Sequence, residues 1–214
     1  MWSSWKRVKS RTSGAGISKR FSNLDGQKLS SLLALRKAHT GIYFSTVWAE
    51  YAILNPKKTL WRKFVTRILF VCHGNICRSP MAEFILKDMV RKAGLSKDCE
   101  IASAATSTEE LGSPVYPPAR RKLAEHGIPC DGHSARQLTN ADYDNYDLLI
   151  GMEQANLRDM CRICGGDYAD KMHLLMDYTD RPGDVADPWY THDFNATWRD
   201  VETGCSGLLK RLRK

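Results

Sequence analysis

The chain has 214 residues, 43% of them hydrophobic and 26% charged, with a formal net charge of +8. That length suits one domain with an appendage, and the hydrophobic content is ordinary for a globular protein. The longest apolar candidate, 42–54, carries Glu50 and falls short of the ~18 residues of a membrane span, so a soluble chain is expected.

The charge is unevenly placed. Residues 1–67 hold 14 Lys/Arg against Asp25 and Glu50, a net of +12, whereas residues 68–214 hold 18 against 22 Asp/Glu, a net of −4. A basic head on a mildly acidic body suggests a separate tail and not a nucleic-acid-binding body. The seven cysteines are an odd number, and no compact apolar signal opens the chain. Free thiols in a reducing cytoplasm therefore fit better than a disulfide framework. Cys161 and Cys164 form a lone Cys-x-x-Cys with no second pair or paired histidines nearby, so no metal is expected.

Residues 1–26 are rich in Ser, Lys, Arg and Gly and read as a solvated, disordered stretch. Residues 27–54 can form a helix of irregular apolar spacing, and Asn55-Pro56 marks a break. The domain division is thus 1–65 for a basic extension and 66–214 for the folded domain. Three readings of the extension stay open. It is a targeting or anchoring segment, or a loose contact for anionic surfaces, or the result of too early a start codon. The last is favoured. No methionine lies between Met1 and Met81, so a later start needs another codon, for which Val65 is well placed.

From residue 67 the pattern changes. The run 67–71 is short and apolar, as in a buried parallel strand. A glycine-bearing loop leads to Ser79-Pro80, which reads as a helix N-cap and first turn. Ala82, Ile85, Leu86, Met89 and Ala93 recur at helical spacing, and Gly94 can end that helix. A strand at 100–104, a helix from Pro117-Pro118 to Gly127, a strand at 147–152, a helix from Glu153 to Gly165 and a strand at 171–176 follow. A last helix puts Phe194, Trp198, Val201, Cys205, Leu208 and Leu212 on one face. Alternating strands and helices predict an α/β fold with a parallel sheet covered on both sides. Ligands of such sheets sit at the carboxyl ends of strands, which points to the loop after the first one.

That loop reads Cys-His-Gly-Asn-Ile-Cys-Arg-Ser over 72–79. Its skeleton, Cys-x5-Arg, is weak alone, since Cys130 with Arg136 and Cys205 with Arg211 repeat it. Context separates the three. Cys205 falls inside an amphipathic helix, and Cys130 stands between a proline and Asp131. Only Cys72 lies between a strand and a helix start, where unpaired amides and the helix dipole make an anion nest. Gly74 and Asn75 tolerate the positive φ of a tight cradle. Arg78 offers a planar fork for two phosphate oxygens. The same field favours the Cys72 thiolate, which can attack phosphorus and form a phosphocysteine. The Ser79 hydroxyl can hydrogen-bond that sulfur. A general acid is still needed. Among five aspartates in 177–193, Asp187 stands out. Pro188 stiffens its loop, and Trp189 and Tyr190 can wall a pocket for a flat ring.

These segments resemble the low-molecular-weight protein tyrosine phosphatase family. VCHGNICRSPMAE (71–83) is similar to its signature and ADPWY (186–190) to its acid loop. SAATS (103–107), HGIP (126–129), ARQLT (135–139) and NLRD (156–159) also resemble it, in order, over about 67–214. The resemblance implies a four-stranded parallel sheet flanked by helices, with no metal and no organic cofactor. It implies Cys72 as nucleophile, Arg78 as phosphate ligand and Asp187 as acid, acting on phosphotyrosine-containing proteins. His73, Gly74, Asn75, Ile76, Cys77, Ser79, Glu109, Trp189 and Tyr190 would line the substrate site. Asn75, Ser79, Ser103 and His133 would form a polar network shaping the loop. Glu109 stands where the family often has an aromatic, and His73 where an aliphatic residue is usual. A cytoplasmic monomer is the expectation. Two rivals remain: an arsenate reductase using Cys161 and Cys164, and a non-catalytic phosphate-binding adaptor.

Overall fold

The computed structural model describes residues 65–213, which lie in the compact unit Arg62–Lys214. The expectations for residues 1–64 fall outside the described residues. The elements are β1 (Thr66–Cys72), α1 (Arg78–Lys92), β2 (Cys99–Ala105), α2 (Pro117–Glu125), α3 (Asn140–Asn145), β3 (Leu148–Gly151), α4 (Gln154–Cys164), β4 (Met172–Leu174), a 3-10 turn (Leu175–Tyr178), α5 (Pro188–Thr191) and α6 (Phe194–Leu212).

The four strands pair in parallel in the order β2-β1-β3-β4. Residues 68–72 of β1 are all buried, as a central parallel strand requires. Ile68, Phe70 and Cys72 face one core with Ile85 and Leu86 of α1, Leu123 of α2, and Val201 and Leu208 of α6. Leu69 and Val71 face the other with Tyr143 of α3 and Met160 and Cys164 of α4. The result is the expected three-layer sandwich. The chain leaves β1 towards β2 on one side and reaches β3 on the other. The crevice between β1 and β3 is therefore the switch point, where ligands of open α/β sheets bind.

Two local expectations are corrected, and one element was missed. Cys77, not Ser79, is the N-cap residue of α1; Ser79 is already helical and turns its hydroxyl to Cys72 instead. The strand expected over 171–176 stops at Leu174, because the Asp177 carboxylate accepts the Leu174 N–H and winds the next residues into a 3-10 turn. Leu175 and Met176 are buried all the same, and an apolar run alone does not separate a strand from a buried turn. Helix α3 had no counterpart in the sequence reading, although its Thr139/Asp142 capping box is explicit. The long α6 is as expected, capped by Asp193, whose carboxylate accepts the Asn195 and Ala196 amides at 2.9 and 3.0 Å. Among the described residues no helix is long and apolar enough to cross a membrane.

Candidate active site

A pocket of about 440 Å³ opens at the carboxyl ends of β1 and β3. Its floor is the loop between β1 and α1. Cys72 ends β1 and is 3% exposed. Its sulfur receives the Asn75 backbone N–H at 3.3 Å and lies 3.0 Å from Ser79 Oγ. Asn75 takes the left-handed conformation, φ 57°, which its short polar side chain tolerates. Gly74 does not share it; its lack of a side chain instead leaves room for Glu110, whose Cγ would lie 3.4 Å from a Cβ there.

Arg78 enters from the first turn of α1 with its side chain almost wholly buried. One Nη2 meets Glu153 Oε1 at 3.1 Å and Asp187 Oδ2 at 2.6 Å. Burial works against the guanidinium charge, but Cys72, Glu153 and Asp187 outweigh it and raise its pKa above the ordinary value. Its Nη1 is buried and, among the described residues, finds no hydrogen-bond partner. A buried, charged donor without an acceptor is costly. An anion in the pocket relieves that cost.

Asp187 is the N-cap of α5; its Oδ1 accepts the Trp189 N–H at 3.0 Å, leaving Oδ2 to face Arg78. Trp189 and Tyr190 wall the pocket and are exposed, with Trp189 held 5.9 Å from the Tyr116 ring. On the rim, His73 Nε2 and Glu109 Oε2 meet at 3.1 Å. The two positions singled out in the sequence as departures thus form one contact. Cys77 packs beneath the loop with Ile76 and Ala135. Burial first, then Cys72 and Asp187, push its thiol up to about 12.

Behind the loop, Asn75 Nδ2 reaches Ser79 Oγ at 2.9 Å and Ser103 Oγ at 2.8 Å, and His133 Nε2 meets the Asn75 carbonyl at 2.8 Å. All the site residues named from the sequence are therefore brought either to the pocket or to the network behind it. Sequence reasoning missed Glu110, Glu153, Asn156 and Asp159, which also line the pocket. Glu153 follows β3, and the rule that ligands sit at strand carboxyl ends, applied to β3 as well as β1, could have found it. Among the described residues no three His, Cys, Asp or Glu side chains converge as a metal-binding group.

A family model described as low molecular weight phosphotyrosine protein phosphatase matches residues 67–214. The chain belongs to that family. It is 36% identical over 149 residues to the low molecular weight protein-tyrosine-phosphatase YfkJ of Bacillus subtilis, covering 69% of this chain and 96% of the relative. Identity to the human low molecular weight phosphotyrosine protein phosphatase is 34% over 153 residues, covering 67% and 94%. The crystal structure of YfkJ superimposes with a TM-score of 0.69 at 35% identity, over 71% of this chain and 97% of that one. The Streptococcus pyogenes enzyme SP-PTP gives 0.62 at 37% identity, over 69% and 93%. As a low molecular weight phosphatase, the chain is a phosphoric monoester hydrolase working through a phosphocysteine, and its pocket has the groups such chemistry needs.

Proposed function

We propose that this phosphatase hydrolyses phosphotyrosine in proteins with Cys72 as nucleophile, Arg78 as phosphate clamp and Asp187 as general acid. The observation that carries the assignment is the buried, unpartnered Arg78 Nη1 beside Cys72, with Asp187 facing the same guanidinium. The Cys72 thiolate attacks phosphorus, the bond to the aryl oxygen breaks, and the Asp187 proton passes to that oxygen. Water then attacks the phosphocysteine and gives its proton to Asp187. Inorganic phosphate leaves, and the sulfur recovers its electron pair under the Ser79 hydroxyl. Trp189 and Tyr190 flank the ring, the loop residues from His73 to Cys77 surround the phosphate, and Glu109 sits at the mouth. The buried network of Asn75, Ser79 and Ser103, with His133 on the Asn75 carbonyl, holds the loop shape.

The arsenate reductase reading is weakened by Cys161 and Cys164. They pack on the α4 face of the sheet, whereas Cys72 faces the α1 side. Burial also raises the Cys164 thiol to about 11. The pocket is complete within one chain, which supports a monomer, and dependence on free thiols at Cys72 and Cys77 supports a cytoplasmic enzyme. By charge alone, residues 1–65 would suit anionic surfaces. Hydrolysis of p-nitrophenyl phosphate by Cys72→Ser tests the assignment. Turnover should vanish while the fold persists, and activity within about tenfold of the parent would refute it.

A further inference from the structure

Asp187 stands at the end of an irregular stretch. Residues 179–187 form neither helix nor strand, and Gly183 takes a positive φ of 147°. Within α5, the Trp189 N–H meets Asp187 Oδ1, and the Thr191 N–H and hydroxyl both meet the Asp187 carbonyl. These bonds fix the carboxylate relative to its own turn. They do not place that turn against the pocket.

Two sets of contacts from other elements do. The first ties the stretch to the β3 side: Val185 gives its N–H to the Met152 carbonyl at 2.8 Å, and Asp184 accepts the Gln154 N–H at 3.0 Å. That anchor ends two residues short of the acid, and each residue has two soft dihedrals. Rotation at Ala186 would swing Asp187 away from Arg78. The second set comes from α6 and falls on Ala186 itself. Thr197 Oγ1 donates to the Ala186 carbonyl at 2.8 Å, and Asp200 Oδ2 accepts the Ala186 N–H at 3.1 Å. Residues three apart share a helix face, so one face of α6 holds both backbone polar groups of the residue before the acid.

Both grips are built in. Thr197 is 0% exposed. Its hydroxyl has a second acceptor, the Asp193 carbonyl, but at 3.3 Å, and that carbonyl already receives the Thr197 N–H. The other Asp200 oxygen is paired with Arg181, which leaves Oδ2 to the amide. We propose that Thr197 and Asp200 are positioning residues for the acid step: by holding Ala186 they keep the Asp187 carboxylate beside the departing oxygen. The proposal rests on the reading of Asp187 as general acid.

The test measures kcat/KM of the full chain for phenyl phosphate and p-nitrophenyl phosphate, with inhibition by inorganic phosphate. Thr197→Val keeps the side-chain shape and removes the hydroxyl. It should slow phenyl phosphate about tenfold, within the ~10²-fold cost of a ~1 Å misplacement at a catalytic group. p-Nitrophenyl phosphate should slow only about twofold, since its leaving oxygen needs little protonation. Phosphate inhibition should stay within about threefold, because the Cys72 loop and Arg78 are untouched. Thr197→Ser, which restores the hydroxyl, should return to within about twofold of the parent. Asp200→Ala should behave like Thr197→Val, whereas Asp200→Asn, which keeps an acceptor for the amide, should not. In an Asp187→Asn background, Thr197→Val should cost phenyl phosphate nothing further, because the group it places is gone.

No slowing in Thr197→Val, equal slowing of both substrates, or a further loss in the Asp187→Asn background overturns the proposal. So does failure of serine or asparagine to rescue. If Thr197→Val does not fold, Asp200→Ala against Asp200→Asn makes the same comparison, and unselective or absent slowing there overturns it equally. Equal slowing by Asp187→Asn alone strikes the acid reading and the proposal with it. Selective slowing by Asp187→Asn beside unselective or absent slowing by Thr197→Val strikes the proposal alone.

Discussion

Replacing Asp187 with asparagine keeps the N-cap oxygen for the Trp189 amide but removes both the transferable proton and a negative charge 2.6 Å from Arg78. Two measurable effects follow, and they point in opposite directions. Loss of the acid slows a poor leaving group most. A positioned general acid contributes ~10²–10⁴-fold, so phenyl phosphate should slow by about a thousandfold. p-Nitrophenyl phosphate, whose leaving oxygen needs little protonation, should slow by only about tenfold. Loss of the charge should tighten phosphate binding, because a bound phosphate must share Arg78 with the aspartate. Two charges ~4 Å apart at an effective dielectric constant of ~20 interact by ~4 kcal/mol. Glu153 stays on the same Nη2 at 3.1 Å, and solvent at the open pocket screens the rest. Only a small part of that energy should appear, as a few-fold fall in the inhibition constant of inorganic phosphate. Steady-state kinetics on a series of aryl phosphates, with phosphate inhibition measured in the same assays, read both effects. Equal slowing across the series would remove Asp187 from the acid role. Weaker phosphate inhibition would refute the competition for Arg78.

Arg78→Lys should cost nearly as much activity as losing the nucleophile, because a point charge cannot replace a planar fork held by Glu153 and Asp187; kcat/KM for p-nitrophenyl phosphate checks this. The Cys77 pKa is raised from 9.0 to about 12 by burial and by Cys72 and Asp187. Cys77 therefore stays a thiol at neutral pH, and peptide mapping after brief iodoacetamide treatment should find Cys72 modified and Cys77 not. Peroxide-inactivated enzyme should regain activity with dithiothreitol, and Cys77→Ser should regain less; equal recovery removes Cys77 from capture of an oxidised Cys72. Gly207→Ala should destabilise by ~1–3 kcal/mol, since a methyl group there would overlap the Tyr178 carbonyl oxygen and force α6 off the 3-10 turn. Thermal unfolding should then fall by several degrees, and an unchanged midpoint would refute that packing. A 65–214 chain should fold and keep its turnover, which circular dichroism and the same assay test together.

What could be read from the sequence was what lies close together along it. The loop 72–79 carries the proposed nucleophile, the proposed clamp and the turn residues in eight consecutive positions, and helix-terminus physics suggests a task for each without any knowledge of distant contacts. Asp187 was recognisable because its neighbours Pro188, Trp189 and Tyr190 announce a rigid, aromatic-walled turn. The sheet was recognisable because residues 68–71 of β1 are buried on both faces and so carry no polar side chain to break the run. Glu153 and Thr197 were not recognisable in this way. Each reads locally as an ordinary polar residue of a helix, and each becomes special only through what the fold sets opposite it, Arg78 for one and the Ala186 carbonyl for the other. The same holds for His73 and Glu109. They stand 36 residues apart, and as single departures on an exposed rim they look like drift. Parallel pairing of β1 with β2 brings the two following loops side by side, with the Ser107 N–H on the His73 carbonyl at 3.0 Å. One exchange therefore sits opposite the other. A charged or polar pair at that rim replaces the apolar wall an aromatic would provide. If the proposed substrate-binding roles hold, contact with a substrate ring would fall to Trp189 and Tyr190, the exposed aromatics that line the same pocket.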